Sequence, residues 1–385
     1  MNRSPSPRTE HQGVSNKPPW WTPRIWFGAT LPAWMRLLRR NQFAVGWPCW
    51  YEATITTVAS AVNSLLKLLQ DLWYARRLAQ TEITQSPLFI LGHWRSGTTH
   101  LHELLTLDSR HTFPTNYMCI APAHFLLTER IARRWFKWIV PKQRPMDNMP
   151  LGWDRPQEDE FALCNLGVPS PYRTIAFPNH PPQDREYLDL RQVSLADRES
   201  WKRVLLKFLK QITLREPKRI VLKSPTHTSR VRTLLELFPD AKFVHIVRNP
   251  YAIFPSTMHL WKSLYTTQGL QRPKFAGLQD YVFDTFVAMH ERLDEDRKLV
   301  PPHQFYELRY EDLIADPLGK MRELYDKLDL GEFDRLLPKL EGYLTEIGDY
   351  QPNRFSPDPA LCAEITRRWG PQIRQQGYSE VPAPT

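Results

Sequence analysis

The 385-residue sequence predicts an α/β fold: a P-loop-like parallel sheet flanked by helices, with an N-terminal helical arm. Three observations predict it. Short apolar runs at 88–91, 219–222, 241–247 and 304–308 alternate with segments of helical period. Strands alternating with helices lie parallel and put their binding loops at the strand C-termini. The run Leu88–Leu91 also leads through a loop bracketed by Gly92 and Gly97 into a helix start at Thr98–Thr99. That order presents backbone N–H groups and positive helix-dipole potential to an anion. Finally, a basic, tryptophan-rich stretch precedes the first strand.

In chain order, residues 1–19, rich in Ser, Pro and charge, read as a disordered tail. Residues 20–86 form the basic, Trp-rich helical arm. It carries Trp20, Trp21, Trp26, Trp34, Trp47 and Trp50, and no acidic residue occurs from His11 to Tyr51. Such a segment either packs its tryptophans onto the main domain or makes peripheral contact with an anionic membrane. Within it, Val58, Val62, Leu65, Leu66, Leu69 and Leu72 recur at helical spacing over 51–81. The longest charge-free run suited to a bilayer, 53–66, falls short of the ~20 apolar residues a spanning helix needs. No apolar leader precedes it, so the expected location is cytoplasmic, with membrane association through the arm.

The main domain runs over 87–385. After the first strand, loop and helix comes a proline- and aromatic-rich region, 110–217, with a basic patch of Arg133, Arg134, Trp135, Lys137 and Trp138. The α/β rhythm then resumes: strand 219–222, helix 229–238, strand 241–247, and a helix capped by Asn249 with Pro250 in its first turn. Strand 304–308 and helix 317–328 complete it. A net charge of +10 calls for an anionic partner: a nucleotide, a nucleic acid or a lipid surface. Cys49, Cys119, Cys164 and Cys362 are far apart, which excludes a disulfide framework or a zinc site built on C-x-x-C.

The loop nearly matches G-x-x-x-x-G-K-[ST]. Gly92, Gly97 and Thr99 are in register, but Thr98 stands where a nucleotide kinase places its lysine, and the nearest cation is Arg95. Two more strand ends carry cations: Lys223, followed by Ser224, and Arg248, followed eight residues later by Ser256. Two cation and hydroxyl sets suit a ligand with two anionic groups, such as an adenosine nucleotide phosphorylated on both its 3′ and 5′ sides.

On these residues the chain resembles the sulfotransferase family that uses 3′-phosphoadenosine 5′-phosphosulfate (PAPS), in its bacterial-type branch. The shared motifs are Arg95-Ser96-Gly97-Thr98-Thr99, Leu222-Lys223-Ser224-Pro225, the strand 243–247 with Arg248 and Ser256, and Tyr310-Glu311-Asp312-Leu313. The resemblance implies that Arg95, Ser96, Gly97, Thr98 and Thr99 cradle the 5′-phosphosulfate. Lys223 would approach the bridging oxygen, Arg248 and Ser256 would hold the 3′-phosphate, and Tyr310 would lie near the adenosine. It implies PAPS as co-substrate, a hydroxyl-bearing acceptor (lipid, small alcohol or carbohydrate), no metal and no nucleic-acid partner.

The base is left open. Members of the family use a histidine or a glutamate, and the two usual positions hold Pro225 and Thr115-Asn116. Candidates are the carboxylates of Glu158-Asp159-Glu160, with Glu158 and Glu160 foremost, and His227. Two rival classes are a P-loop kinase using ATP and a non-catalytic basic protein binding membrane or nucleic acid. The first lacks its lysine at Thr98, and the second leaves the strand-end cations unexplained.

Overall fold

Strands β1 (Leu88–Leu91), β2 (His111–Thr112), β3 (Arg219–Lys223), β4 (Lys242–Val247) and β5 (Phe305–Arg309) form one sheet, ordered β2-β3-β1-β4-β5. Every pairing is parallel. The architecture is that of a computed structural model, which describes residues 24–135, 152–346, 348 and 358–381. A parallel sheet covered on both faces needs apolar strands throughout, and β1 is buried along its whole length. Alternation divides its side chains between two cores. Phe89 and Leu91 pack with Leu222, Phe243, Trp201 and Phe208 on one face. Leu88 and Ile90 pack with Leu101, Leu105, Val244 and Leu324 on the other.

The helices are, in order, α1 (Leu31–Arg40), α2 (Trp50–Gln80), α3 (Thr98–Thr106), α4 (Asn116–Ile120), α5 (Phe125–Trp135), α6 (Asp159–Asn165) and α7 (Leu195–Arg215). They continue as α8 (Val231–Leu237), α9 (Pro250–Gln268), α10 (Leu278–Arg297), α11 (Tyr310–Ala315), α12 (Pro317–Leu328), α13 (Leu337–Glu346) and α14 (Pro359–Gln375). The cap read from the sequence at Asn249 forms, and Asp316 supplies a further one. The Asn249 side chain accepts from Tyr251 N at 3.0 Å to open α9, and that of Asp316 accepts from Gly319 N at 2.9 Å to open α12. The helix expected over 229–238 starts later, because a 3-10 helix, Pro225–Ser229, intervenes.

Strands laid after β1 go first to one side (β3 and, outside it, β2) and then to the other (β4, β5). The crevice beyond the C-terminal end of β1 is therefore where chain connections diverge, the usual ligand site of open α/β sheets.

The arm's tryptophans divide. Trp26 and Trp34 are buried, their indoles donating to Gln268 O and Thr57 Oγ1, both at 2.8 Å. Trp47 and Trp50 are exposed. The helical stripe of 51–81 lies largely on the outer face of α2, not against the core. Trp20, Trp21 and the tail 1–19 lie outside the described residues, as do Lys137 and Trp138 of the basic patch. Among the described residues no helix is long and apolar enough to cross a membrane.

Candidate active site

The loop between β1 and α3 is held by its own groups. Ser96 N and Oγ both donate to His93 O, at 3.2 and 2.8 Å, and Gly92 N donates to Thr228 Oγ1 at 2.8 Å. Arg95 adopts a left-handed φ of +69°, a conformation costly for a non-glycine residue that recurs in functional loops. Gly97 is required twice over. Its φ is +103°, and a Cβ there would lie 2.3 Å from Tyr310 Cδ2. No side chain caps α3, so its first-turn amides at Thr98 and Thr99 are open to a ligand.

Four strand ends meet around this loop. Arg95 Nε donates to Ser256 Oγ at 2.9 Å. Arg248, at the end of β4, donates to Arg95 O at 3.0 Å, and its guanidinium lies 4.3 Å from the centre of the Tyr310 ring, at the end of β5. The two anion subsites read from the sequence therefore adjoin. From the end of β3, the nearly buried Lys223 Nζ donates to Glu158 Oε1 at 2.6 Å.

The acidic triplet does not act as a unit. Glu160 is fully buried. Arg230 grips its carboxylate bidentately at 2.6 and 3.0 Å, and Ser170 and Thr226 donate to it at 2.5 and 2.9 Å. Burial alone would raise its carboxyl, but Arg230, with Ser170 and His227, more than offsets this and holds it below its ordinary value. Asp159 accepts from Ser224 Oγ at 2.7 Å and pairs with His227 Nε2 at 2.8 Å. Burial raises its carboxyl as well, and His227 and Ser224 more than offset this. His227 is buried edge-on to Phe89 and Trp201, and its Nδ1 meets no hydrogen-bond partner. Glu160 and His227 are thus corrected as base candidates: their proton-accepting atoms are enclosed in the protein. Glu158 is the partly exposed member, at 15 % of its side chain.

Two site residues escaped the sequence reading. Tyr172 OH donates to Glu158 Oε2 at 2.5 Å and accepts from Trp94 Nε1 at 2.9 Å. Trp94, Tyr172, Glu158 and Lys223 form one chain from the loop to β3. Burial, then the Glu158 charge, pushes the Tyr172 phenol well above its ordinary value, so it stays a donor. The hydroxyl and N–H of Ser96 both donate to His93 O, which gives it a part in shaping the loop that the sequence reading did not assign.

The arrangement gathers three cations, an uncapped helix start and one carboxylate beside a lysine, a composition suited to an anion. Among the described residues no cluster of His, Cys, Asp or Glu could hold a metal ion.

Residues 87–335 match the family described as "Sulfotransferase family". Over 358 residues the chain is 52% identical to omega-hydroxy-beta-dihydromenaquinone-9 sulfotransferase Stf3 of Mycobacterium bovis and of Mycobacterium tuberculosis, covering 93% of this chain and 92% of each relative. In fold it is similar to sulfotransferase STF9 from Mycobacterium avium (TM-score 0.62, 16% identity, covering 92% of this chain and 98% of that one). It is likewise similar to STF1 from M. tuberculosis (TM-score 0.56, 19% identity, covering 90% and 94%). Strand-end cations around a lysine-free loop, a matched family over most of the chain and a relative at this identity lead to one conclusion: the chain belongs to the sulfotransferase family and is an enzyme that moves a sulfuryl group to a hydroxyl.

Proposed function

We propose that the donor is PAPS, that the acceptor is an isoprenoid quinone hydroxylated on its side chain, and that Glu158 is the base. The observation that carries this reading is the contact of Lys223 with Glu158 at 2.6 Å, beside the cradle of Arg95 and the α3 amides. The residues present fit the donor: Arg95 and the first turn of α3 for its 5′-phosphosulfate, Arg248 and Ser256 for its 3′-phosphate, and Tyr310 beside its nucleoside.

Sulfuryl transfer is an in-line displacement, so positioning and stabilisation of developing charge do most of the work. The acceptor oxygen forms a bond to sulfur while its proton passes to a Glu158 oxygen. The bond from sulfur to the bridging oxygen breaks, and the leaving phosphate keeps the electron pair. Lys223 serves both ends of this exchange. It donates to Glu158 and so orients that carboxyl group, and it faces the charge that grows on the bridging oxygen. Tyr172 fixes the other Glu158 oxygen in place. The acceptor class is supported by the likeness to the omega-hydroxy-beta-dihydromenaquinone-9 sulfotransferase at 52% identity.

The test has two arms. Adenosine 3′,5′-bisphosphate should raise the melting temperature where ATP with Mg²⁺ does not; the reverse result sinks the donor assignment. With radiolabelled PAPS, label should enter an ω-hydroxylated dihydromenaquinone and not its unhydroxylated parent. Labelling of a sugar or small alcohol instead would overturn the acceptor assignment.

A further inference from the structure

Helix α2 is turned inside out. Its inner face is small or polar, with Ala53, Thr56, Ser60, Asn63 and Gln70 buried. Hydrogen bonds fix that rotation. Asn63 Nδ2 donates to Phe27 O and Ala29 O at 2.9 and 3.1 Å, and Gln70 donates to Ala123 O at 3.0 Å and accepts from Leu126 N at 2.9 Å. Its outer face is apolar: Val58, Val62, Leu65, Leu68, Leu72 and Trp73 are each more than half exposed. From 58 to 73 this stripe covers about 22 Å of helix at 1.5 Å per residue. The charged residues within that span, Lys67 and Asp71, sit to the side, paired with each other at 2.5 Å, and Asp71 also pairs with Lys207 at 2.8 Å.

The surroundings are basic. Arg76 and Arg77 follow the stripe and are exposed. Beside it, Arg203, Lys207 and Lys210 of α7 line a groove of about 380 Å³ against Asp71, Ala75 and Leu78 of α2, where Asp71 engages Lys207 and leaves Arg203 and Lys210 as the excess charge. A contiguous exposed apolar face marks an interaction surface. An apolar stripe with a basic rim is the composition of a helix lying in a lipid interface.

We propose that α2 docks the enzyme on an anionic bilayer. Val58 to Trp73 enter the boundary between headgroups and acyl chains, and Arg76, Arg77 and the α7 groove take lipid phosphates. A second copy of the chain is the weaker occupant, because it would bring two basic rims together. The surface is argued from α2 and α7 alone and goes beyond the proposed reaction, although a lipid acceptor would give it a purpose.

The test is flotation of the full-length protein with vesicles of phosphatidylcholine, with and without phosphatidylglycerol. The unaltered protein should float with the anionic vesicles. Leu65→Gln, Leu68→Gln and Leu72→Gln together should weaken that binding at least about tenfold. Arg203→Glu with Lys210→Glu should weaken it about tenfold or more on anionic vesicles alone. Both variants alter exposed or half-exposed positions, so melting temperature and its rise with adenosine 3′,5′-bisphosphate should be unchanged, which separates lost docking from lost folding or lost donor binding. No flotation of the unaltered protein, or equal flotation of the triple variant, overturns the proposal. So does a dimer in sedimentation that the triple variant dissolves while vesicles bind neither protein.

Discussion

Glu158, Asp159 and Glu160 meet Lys223, His227 and Arg230 in turn, at 2.6, 2.8 and 2.6 Å. Adjacent residues at a helix start point about 100° apart, so three similar side chains enter three environments. The last two pairs are enclosed, and Glu158 of the first is partly exposed. Glu158→Gln keeps the shape and removes the proton acceptor. It should lower kcat by about 10²–10⁴-fold and, because the nearly buried Lys223 loses its carboxylate, lower the melting temperature as well, while adenosine 3′,5′-bisphosphate still raises that temperature. Tyr172→Phe removes a hydrogen bond to a charged group, typically worth about 1.5–3 kcal/mol, and should cost about tenfold in kcat with donor affinity retained. Full activity in Glu158→Gln would return the base to an unassigned residue.

At the scale of elements, the same triplet joins α6 to the 3-10 helix after β3. The bidentate Glu160–Arg230 pair is buried, with Arg230 also stacked 5.0 Å from the Trp201 ring and donating to Tyr187 O at 2.7 Å. Removing one partner of a buried pair typically costs about 3–5 kcal/mol. Glu160→Gln should therefore lower the urea midpoint sharply while any folded fraction keeps its turnover per molecule. A stable but inactive Glu160→Gln would mean that Glu160 takes part in the chemistry after all. The strand-end cations were legible in the sequence because each follows an apolar run and precedes a clear helix or turn signal. The partners of the triplet were not, because they lie more than sixty residues away, and spacing alone does not say which acid faces which base. Tyr172 was hidden for a similar reason: a tyrosine in a proline-rich stretch has no period to betray it. The outward stripe of α2 shows another limit. Periodicity marks a helix and its apolar face, but hydrogen bonds from Asn63 and Gln70 to neighbouring elements decide which face turns inward.

For the whole molecule, buried and half-buried histidines set the response to acid. Burial lowers His100, His124 and His290 from 6.5 to about 4, and burial with the neighbouring His290 lowers His93 to about 3. Each is neutral in the folded protein at values where the unfolded chain already binds a proton. A depressed folded value stabilises fully above the unfolded value and loses that contribution as pH falls. Stability should therefore begin to fall near pH 6.5 and continue towards about 4. Each independent histidine adds up to about 1.4 kcal/mol per pH unit within that window. His93 and His290 repel one another's charge, so the pair counts for less than two. The depressed carboxylates act lower, since Asp159 and Glu160 contribute fully above their ordinary values of 3.8 and 4.5. Loss between pH 6.5 and 4.5 consequently belongs to the histidines. Urea unfolding across that interval should show a midpoint that falls steadily with pH, and a flat midpoint would mean that these rings are hydrated or charged in the folded enzyme.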